Sequence, residues 1–305
     1  MKYYLFATHS NPNLLNELVK KSNKLVRGKC KISHYKDGEI LVHIDEKIKG
    51  QKVFVLGSTF PPAENVLELI ILINTLRANG AKKIVALIPY FGYGKQDRIK
   101  YSGDAMSAKL MAKIIEDAGA SEILALDLHS QRVAEYFKVK ITELQAKTIL
   151  AKALKKLQLK NLVVLAPDLG ADERSKKFAK ELGVKNLAAI KKHRPRVDEA
   201  LVINLKGEIK NKNIIIVDDM SQTGGTLTKV ADFLKAKGAK DIYVALTHLV
   251  ATGPVVENLK REKNIKKIFT TNSIVSASDF KGDKKFEIIS VAELFVNHLS
   301  QNRRL

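Results

Sequence analysis

The sequence predicts an α/β protein in which mainly parallel β-sheets are covered by helices on both faces. Two observations lead to this prediction. Short apolar runs alternate with longer amphipathic stretches along most of the chain, and several of the longer stretches stop at a glycine. Because parallel strands need a long crossover connection, usually a helix, such alternation favours parallel pairing.

Six short Val-, Ile- and Leu-rich runs with turn signals nearby are predicted as buried strands. They are residues 53–57, 84–89, 123–127, 162–166, 214–217 and 242–247. Apolar residues at helical spacing predict helices at residues 64–79, 105–118, 171–182 and 225–237. The glycines that follow them, which adopt the left-handed conformation at low cost, are Gly80, Gly119, Gly183 and Gly238.

The 305 residues are too many for one comfortable hydrophobic core, which predicts two domains. An internal similarity supports this division, since residues 72–89 and 230–248 each read as a helix, a Gly-Ala-Lys link and a strand. Two related α/β halves would give this similarity, and so would two generic helix–strand units. The predicted domains are residues 1–144 and 145–305, with the last helix packing back on the first domain.

The formal net charge of +21 has three interpretations: nucleic-acid binding, binding of polyanionic small molecules such as nucleotides, or a lysine-rich proteome. The lysines are scattered along predicted helices, as on a solvated surface. There is no Trp, and aromatic residues are only 6% of the chain, so surfaces for base stacking are scarce. Nucleic acid is therefore the least favoured partner.

No apolar run has the length of a membrane span, and the N-terminus lacks the apolar core of a secretory signal. The single cysteine, Cys30, excludes an intramolecular disulfide and is compatible with a reducing compartment. We therefore expect a cytoplasmic protein with no membrane partner.

The strongest motif is IIIVDDMSQTGGTL at residues 214–227, where an apolar run leads into Asp218 and Asp219 and then into a Thr-Gly-Gly-Thr turn. Ligands of open α/β sheets bind beyond the carboxyl ends of the strands, and a glycine turn before a helix suits a phosphate. The two carboxylates suit sugar hydroxyls or a metal ion. An ordinary helix N-cap is the competing interpretation, but adjacent acids at a strand end are costly without a partner.

This segment resembles the phosphoribosyl-binding loop shared by type I phosphoribosyltransferases and ribose-phosphate pyrophosphokinases. The rest of the chain is similar to the second family, whose segments occur here in the same order. They lie at residues 36–44, 57–76, 88–98, 107–120, 126–137, 166–179 and 247–259. The resemblance implies two related type I phosphoribosyltransferase-like domains, each a mainly parallel sheet flanked by helices, with ATP on the first and ribose 5-phosphate on the second.

The resemblance also implies the site residues. Those that bind ribose 5-phosphate would be Asp218, Asp219, Thr223, Gly224, Gly225 and Thr226. Those that bind ATP would be Lys95, Gln96, Asp97 and His129, with Tyr35, Asp37 and Glu39 lent by a neighbouring subunit of a homo-oligomer, a hexamer in this family. Magnesium would lie near His129 and Asp168, and the basic segment KKHRPR at residues 191–196 would supply the catalytic cations Lys192 and Arg194.

The implied reaction transfers the β,γ-diphosphoryl group of Mg-ATP to the C1 hydroxyl of ribose 5-phosphate. Without the resemblance, residues 37–38 read as a hairpin turn and residues 191–196 as a solvated basic loop. A phosphoribosyltransferase would share only residues 214–227. Two further candidate functions are a weakly active or inactive regulatory paralogue and a nucleic-acid-associated regulator.

Several positions depart from the family's usual residues. Lys95 stands where arginine is common, and His193 stands between the two loop cations in place of another arginine. The sugar-phosphate loop carries Ser221 and Gln222, and the segment after the Pro-Asp turn carries Leu169 and Ala171. Residues 99–104 lack the arginines that the family uses around an effector phosphate, so regulation by phosphate or ADP is the least supported implication.

Overall fold

The computed structural model describes residues 2–193, 202–251 and 255–301. The strands of this part are β1 (Tyr3–Ala7), β2 (Leu25–Arg27), β3 (Cys30–His34), β4 (Ile40–Ile44), β5 (Lys52–Leu56), β6 (Lys83–Ile88), β7 (Glu122–Leu126), β8 (Lys140–Leu144), β9 (Leu162–Ala166), β10 (Leu187–His193), β11 (Val202–Lys206), β12 (Asn213–Ser221), β13 (Ile242–Leu249), β14 (Ile265–Thr271) and β15 (Phe286–Ile289).

The helices of the described residues are α1 (Pro12–Lys21), α2 (Glu64–Ala78), α3 (Ser107–Ala118), α4 (Gln131–Glu135), α5 (Lys147–Lys155), α6 (Asp172–Leu182), α7 (Gly225–Ala236), α8 (Val255–Arg261) and α9 (Ala292–Gln301). Short 3₁₀ turns lie at Leu169–Ala171 and Ala277–Phe280. None of these helices is both long enough and apolar enough to cross a bilayer.

The chain divides into two compact units. The first contains the residues up to Gln145 together with those from Ser290 onwards, and the second contains Ala146–Ile289. The C-terminal helix α9 thus belongs to the first unit, where it packs beside α1. The Ser290 hydroxyl, just before α9, donates a hydrogen bond to the Glu17 carboxylate on α1.

The first unit is built on a six-stranded sheet of order β2-β1-β5-β6-β7-β8, in which every neighbouring pair is parallel. Strands β5, β6 and β7 are almost wholly buried. This burial explains why they read in sequence as continuous apolar runs. The antiparallel hairpin β3–β4 forms a separate small sheet, and its apolar residues pack against the core of this unit.

The second unit is built on a seven-stranded sheet of order β11-β10-β9-β12-β13-β14-β15. Its neighbouring pairs are parallel except β10–β11, which is antiparallel. The core lies around β12 and β13, where Ile214, Ile216, Val244 and Leu246 are fully buried and α7 packs above them. The mainly parallel α/β fold predicted from the sequence is confirmed.

All six predicted strands and all four predicted helices are present, with ends that differ by a few residues in most cases. The glycines predicted to end helices do adopt the left-handed conformation. Their φ angles are +82° at Gly80, +127° at Gly119, +77° at Gly183 and +85° at Gly238.

The loop after β6 depends on the absence of a side chain at Gly92. The Gly92 amide donates a 2.7 Å hydrogen bond to Thr59 Oγ1, and a Cβ added at Gly92 would lie 2.0 Å from the Thr59 carbonyl oxygen. Two residues later, a Cβ added at Gly94 would meet nothing closer than 3.5 Å. The two glycines therefore differ sharply in how they tolerate a methyl group.

We expect Gly92→Ala to lower the free energy of unfolding by about 3 kcal/mol, since the backbone of residue 59 has to move. Gly94→Ala is the matched control and should change stability by less than about 1 kcal/mol. Denaturant unfolding of both variants measures the difference. Equal stability of the two variants would show that the loop shifts to accommodate a methyl group at residue 92 without a measurable cost.

Candidate active site

The aspartate pair of the second unit lies inside β12, not beyond it. The sequence predicted a strand over residues 214–217, but β12 continues to Ser221. Its pairing with β9 ends at Ile216, whereas its pairing with β13 continues as far as Ser221 opposite Leu249. The longer partner β13 extends the strand, and at this end of the sheet β12 is no longer paired with β9.

Asp218 and Asp219 are both largely withdrawn from solvent, with side-chain exposures of 16% and 8%. The Asp219 amide donates a 2.9 Å hydrogen bond to Asp218 Oδ1. Burial, reinforced by the negative charge of Asp219, raises the pKa of Asp218 to about 8. Asp218 therefore resists ionisation beside Asp219.

The residue that partly offsets this charge is Arg174 on α6. Its Nη1 lies 3.7 Å from Asp218 Oδ1 and 3.5 Å from Asp219 Oδ1. The guanidinium lowers the pKa of Asp218, but burial and Asp219 outweigh it. Arg174 was not predicted as a site residue from the sequence, where it lies in the segment 166–179 without an assigned role. Its only sequence signal is that it is the one arginine among the lysines of that helix.

The turn after β12 has the form of an anion site. Gly224 has φ +76° and precedes α7, whose first residue is Gly225. Thr223 and Thr226 are exposed, and the Gly225 amide donates to Thr223 Oγ1 at 3.3 Å. The N-cap residue Gly224 has no side chain to cap α7, the Thr223 hydroxyl engages only the Gly225 amide among the described residues, and the first turn contains no acidic residue. The free amides of such a helix start, together with the positive end of its dipole, favour a phosphate.

Asp168 follows β9, the strand next to β12, and lies at the same edge of the sheet. Its Oδ1 accepts a 3.0 Å hydrogen bond from the Ala171 amide, which holds the carboxylate in place. Within the described residues its other oxygen has no hydrogen-bond partner. The second unit thus brings together the predicted sugar-phosphate residues and the predicted carboxylate ligand of the metal.

In the first unit the ATP-binding candidates lie beyond β6 and β7. Lys95, Gln96 and His129 are exposed, and the Ala108 amide at the start of α3 donates to the Gln96 carbonyl. Asp97 is different, because it is 7% exposed and its Oδ2 accepts a 2.7 Å hydrogen bond from the Ser130 hydroxyl. Asp97 therefore ties the loop after β6 to the loop after β7, which carries His129.

The remaining candidates lie on other elements. Tyr35, Asp37 and Glu39 form the turn of the β3–β4 hairpin, as the sequence predicted, and Tyr35 is 55% exposed. The Lys192 backbone lies in β10 opposite Ile203, but its side chain lies outside the described residues, as does all of Arg194.

Magnesium needs oxygen ligands, and the described residues contain no cluster of three His, Cys, Asp or Glu side chains that would hold a metal ion alone. A magnesium ion bound to a nucleotide keeps waters and phosphate oxygens, so one or two protein ligands are enough. The held carboxylate of Asp168, with one oxygen available, fits this requirement. His129 is in the other unit and carries a nitrogen ligand, which suits magnesium less well.

Comparison with known proteins assigns both units. The model for the N-terminal domain of ribose phosphate pyrophosphokinase matches residues 3–119, and the model for the phosphoribosyl transferase domain matches residues 132–284. Among curated relatives, the ribose-phosphate pyrophosphokinase of Bacillus caldolyticus is 40% identical over 92% of this chain and 88% of its own. That of Bacillus subtilis is 36% identical over 95% of this chain and 90% of its own.

The chain belongs to the ribose-phosphate pyrophosphokinase family.

This family consists of diphosphotransferases, so the prediction of an enzyme of this class is confirmed. The solved phosphoribosylpyrophosphate synthetase of Mycobacterium smegmatis is similar in structure, with a TM-score of 0.90 and 29% identity over 98% of each chain. The predicted fold class, two α/β domains of the phosphoribosyltransferase type, is also confirmed.

The raised pKa of Asp218 predicts how stability depends on pH. In the unfolded chain this carboxyl ionises near pH 3.8, whereas in the folded protein it keeps its proton up to about pH 8. The folded state therefore binds more protons across that interval, and stability falls as the pH rises through it.

We expect Asp218→Asn, which mimics the protonated acid, to raise the free energy of unfolding at pH 8 by about 2 kcal/mol and to flatten its pH dependence. The gain is smaller than the whole pKa shift implies, because the two carboxyls titrate as a pair. Asp232→Asn, at an exposed position of α7, is the control and should change little. Lower stability of Asp218→Asn at pH 8 would mean that Asp218 is ionised and satisfied in the free protein.

Proposed function

We propose that this protein is a ribose-phosphate diphosphokinase. It transfers the β,γ-diphosphoryl group of Mg-ATP to the C1 hydroxyl of ribose 5-phosphate and gives 5-phosphoribosyl 1-diphosphate and AMP. The observation on which the proposal depends is the pair Asp218–Asp219, largely withdrawn from solvent, followed by the glycine turn at the start of α7. Family membership supports the reaction class, and this geometry supports the assignment of the sugar phosphate to the second unit.

The two ends of ribose 5-phosphate find complementary groups there. The 5-phosphate binds the amides of residues 223–226 and the hydroxyls of Thr223 and Thr226. Two ring hydroxyls donate to Asp218 and Asp219, whose oxygens accept. Each hydroxyl donor relieves the repulsion between the carboxylates, so binding removes a cost that the free protein carries. The sugar is fixed at both ends, with its C1 hydroxyl directed away from the phosphate.

ATP binds to the first unit through Lys95, Gln96 and His129, and Asp97 holds the two loops that carry them. Lys95 offers a point charge to a phosphate, where an arginine would offer a forked pair of donors. Magnesium enters as part of the Mg-ATP substrate, with Asp168 as the carboxylate that fits it. When bound, the ion neutralises charge on the phosphates.

The attack of the C1 hydroxyl on the β-phosphorus requires positive charge where negative charge accumulates. Lys192 and Arg194 of the basic segment 191–196 supply it in this proposal. Phosphoryl transfers of this kind need no covalent enzyme intermediate, so positioning and charge stabilisation provide the catalysis.

Tyr35, Asp37 and Glu39 act on the adenine of a neighbouring subunit in this proposal, so the active site is complete only in a homo-oligomer. The exposed hairpin turn that carries them supports this role, because a tyrosine that is 55% exposed offers an aromatic face to a partner. A weakly active regulatory paralogue is the competing function, and the departures at Lys95, His193 and Gln222 are its support.

The decisive experiment follows AMP formation by the purified protein with Mg-ATP, with and without ribose 5-phosphate. AMP that appears only with the sugar phosphate supports the diphosphokinase. A protein that binds both substrates without turnover would be the regulatory paralogue, and consumption of 5-phosphoribosyl 1-diphosphate with a free base would indicate a phosphoribosyltransferase.

We expect Lys192→Ala to lower kcat by about 10²–10³-fold while KM for either substrate changes much less, because the lysine acts on charge that develops in the transition state. Lys191→Ala is the matched control. Lys191 precedes it in β10, and successive side chains of a strand point to opposite faces, so Lys191→Ala should keep its activity. If Lys192→Ala raised KM as much as it lowered kcat, the lysine would instead contribute to ground-state binding.

A further inference from the structure

A cavity of about 310 Å³ lies at the amino-terminal edge of the second sheet, the edge opposite the aspartate pair. Residues that precede or begin β9, β12, β13 and β14 line it. Asn213 at its wall and Asp218 are five residues apart on β12, a separation of about 16 Å along the strand. The cavity is therefore distinct from the proposed sugar-phosphate site.

Asn213 gives this cavity an unmet hydrogen-bonding group. Its side chain is buried, with 6% exposure for the residue, and Nδ2 donates a 2.7 Å hydrogen bond to the Lys160 carbonyl. This bond fixes which end of the amide is nitrogen, because the opposite orientation would set two oxygens against each other. Oδ1 is buried and has no partner within the described residues. A buried acceptor without a partner requires an explanation, and a donor supplied by a molecule in the neighbouring cavity would provide one.

The cavity also carries an excess of positive charge. Lys160, Lys240 and Lys266 line it, against a single acid, Asp241. Lys266 is paired with Asp241 at 2.8 Å, while neither Lys160 nor Lys240 has an ion-pair partner in the described part of the chain. Tyr243, also at the wall, is 3% exposed, and burial raises the pKa of its hydroxyl, which therefore stays neutral and able to donate. An anionic group is favoured here.

The backbone around the cavity is held in an uncommon conformation. Gln158, Asn161 and Asn211 have φ angles of +49°, +52° and +57°, in the left-handed region. Asparagine tolerates this region better than most residues, but Gln158 does not have that advantage. Such backbone persists where the surrounding structure fixes it, and it gathers at binding sites.

We propose that this cavity is a second binding site, for a small phosphate monoester. The phosphate pairs with Lys160 and Lys240, and a hydroxyl or amino group of the same molecule donates to Asn213 Oδ1. The volume lies at the lower end of the range for ligand sites, which suits a sugar phosphate or a nucleoside monophosphate. Both kinds of molecule share this chemistry, and the experiment separates them.

Residue-resolved lysine labelling of the full chain, read by mass spectrometry, tests the proposal. The probes are inorganic phosphate, ribose 5-phosphate and AMP, each added separately. We expect ribose 5-phosphate or AMP to slow the labelling of Lys160 and Lys240 about threefold at a concentration twice the dissociation constant. Inorganic phosphate should protect less, because it spans only part of the cavity. Lys284, exposed before β15 and outside the lining, is the internal control and should be unaffected.

Two variants separate this site from the proposed active site. Lys240→Gln, at an exposed position, should fold normally and should abolish protection of Lys160. Asp219→Asn disables the proposed sugar site and should leave protection of Lys160 and Lys240 intact. The proposal is overturned by equal labelling with and without every probe, which would leave only water in the cavity. It is also overturned by equal protection of Lys284 or by loss of protection in Asp219→Asn.

Discussion

The confinement of two adjacent carboxylates within a parallel sheet is the constraint on which the second unit depends. Asp218 and Asp219 lie where β12 has lost β9 as a neighbour but is still paired with β13. The backbone is therefore held by β13 alone among the strands of the sheet. Arg174 approaches no closer than 3.5 Å and only partly offsets the charge. The free protein carries an electrostatic cost at this edge, and a ligand with hydroxyl donors relieves it.

Sequence patterns predicted the buried strands well because burial on both faces leaves a continuous apolar run, as in β6 and β13. They failed at partly exposed strands. β3 and β4 have no fully buried position, so they carry no such run, and the sequence showed only their turn. The predicted end of β12 was wrong for a different reason. Hydrogen bonds to β13 extend it, and an Asp-Asp-Met-Ser segment has no intrinsic preference for a strand.

The candidate site residues also fall into two groups, those that a sequence pattern reveals and those whose role depends on packing. The carboxylates and the glycine turn were found because their chemistry is unusual at the end of an apolar run. Arg174 was not found, because an arginine among the lysines of an amphipathic helix looks like part of a solvated face. Only the packing of α6 beside β12 brings its guanidinium to the aspartates. The buried amide of Asn213 was also invisible, since its unmet acceptor depends on the bond that Nδ2 makes to residue 160.

The lysines that produce the net charge of +21 have different surroundings at the amino-terminal edges of the two sheets. In the first unit, Glu122 is buried between Lys83 and Lys140, at 2.7 and 3.3 Å. Burial would raise its pKa, but these ion pairs outweigh it and lower the pKa. Lys83 and Lys140 thus share an internal acid. In the second unit, Asp241 is engaged by Lys266, and no second acid meets the other lysines of the cavity within the described residues. The same residue type is therefore paired within the protein at one edge, whereas at the other it is left exposed to solvent beside the proposed binding cavity.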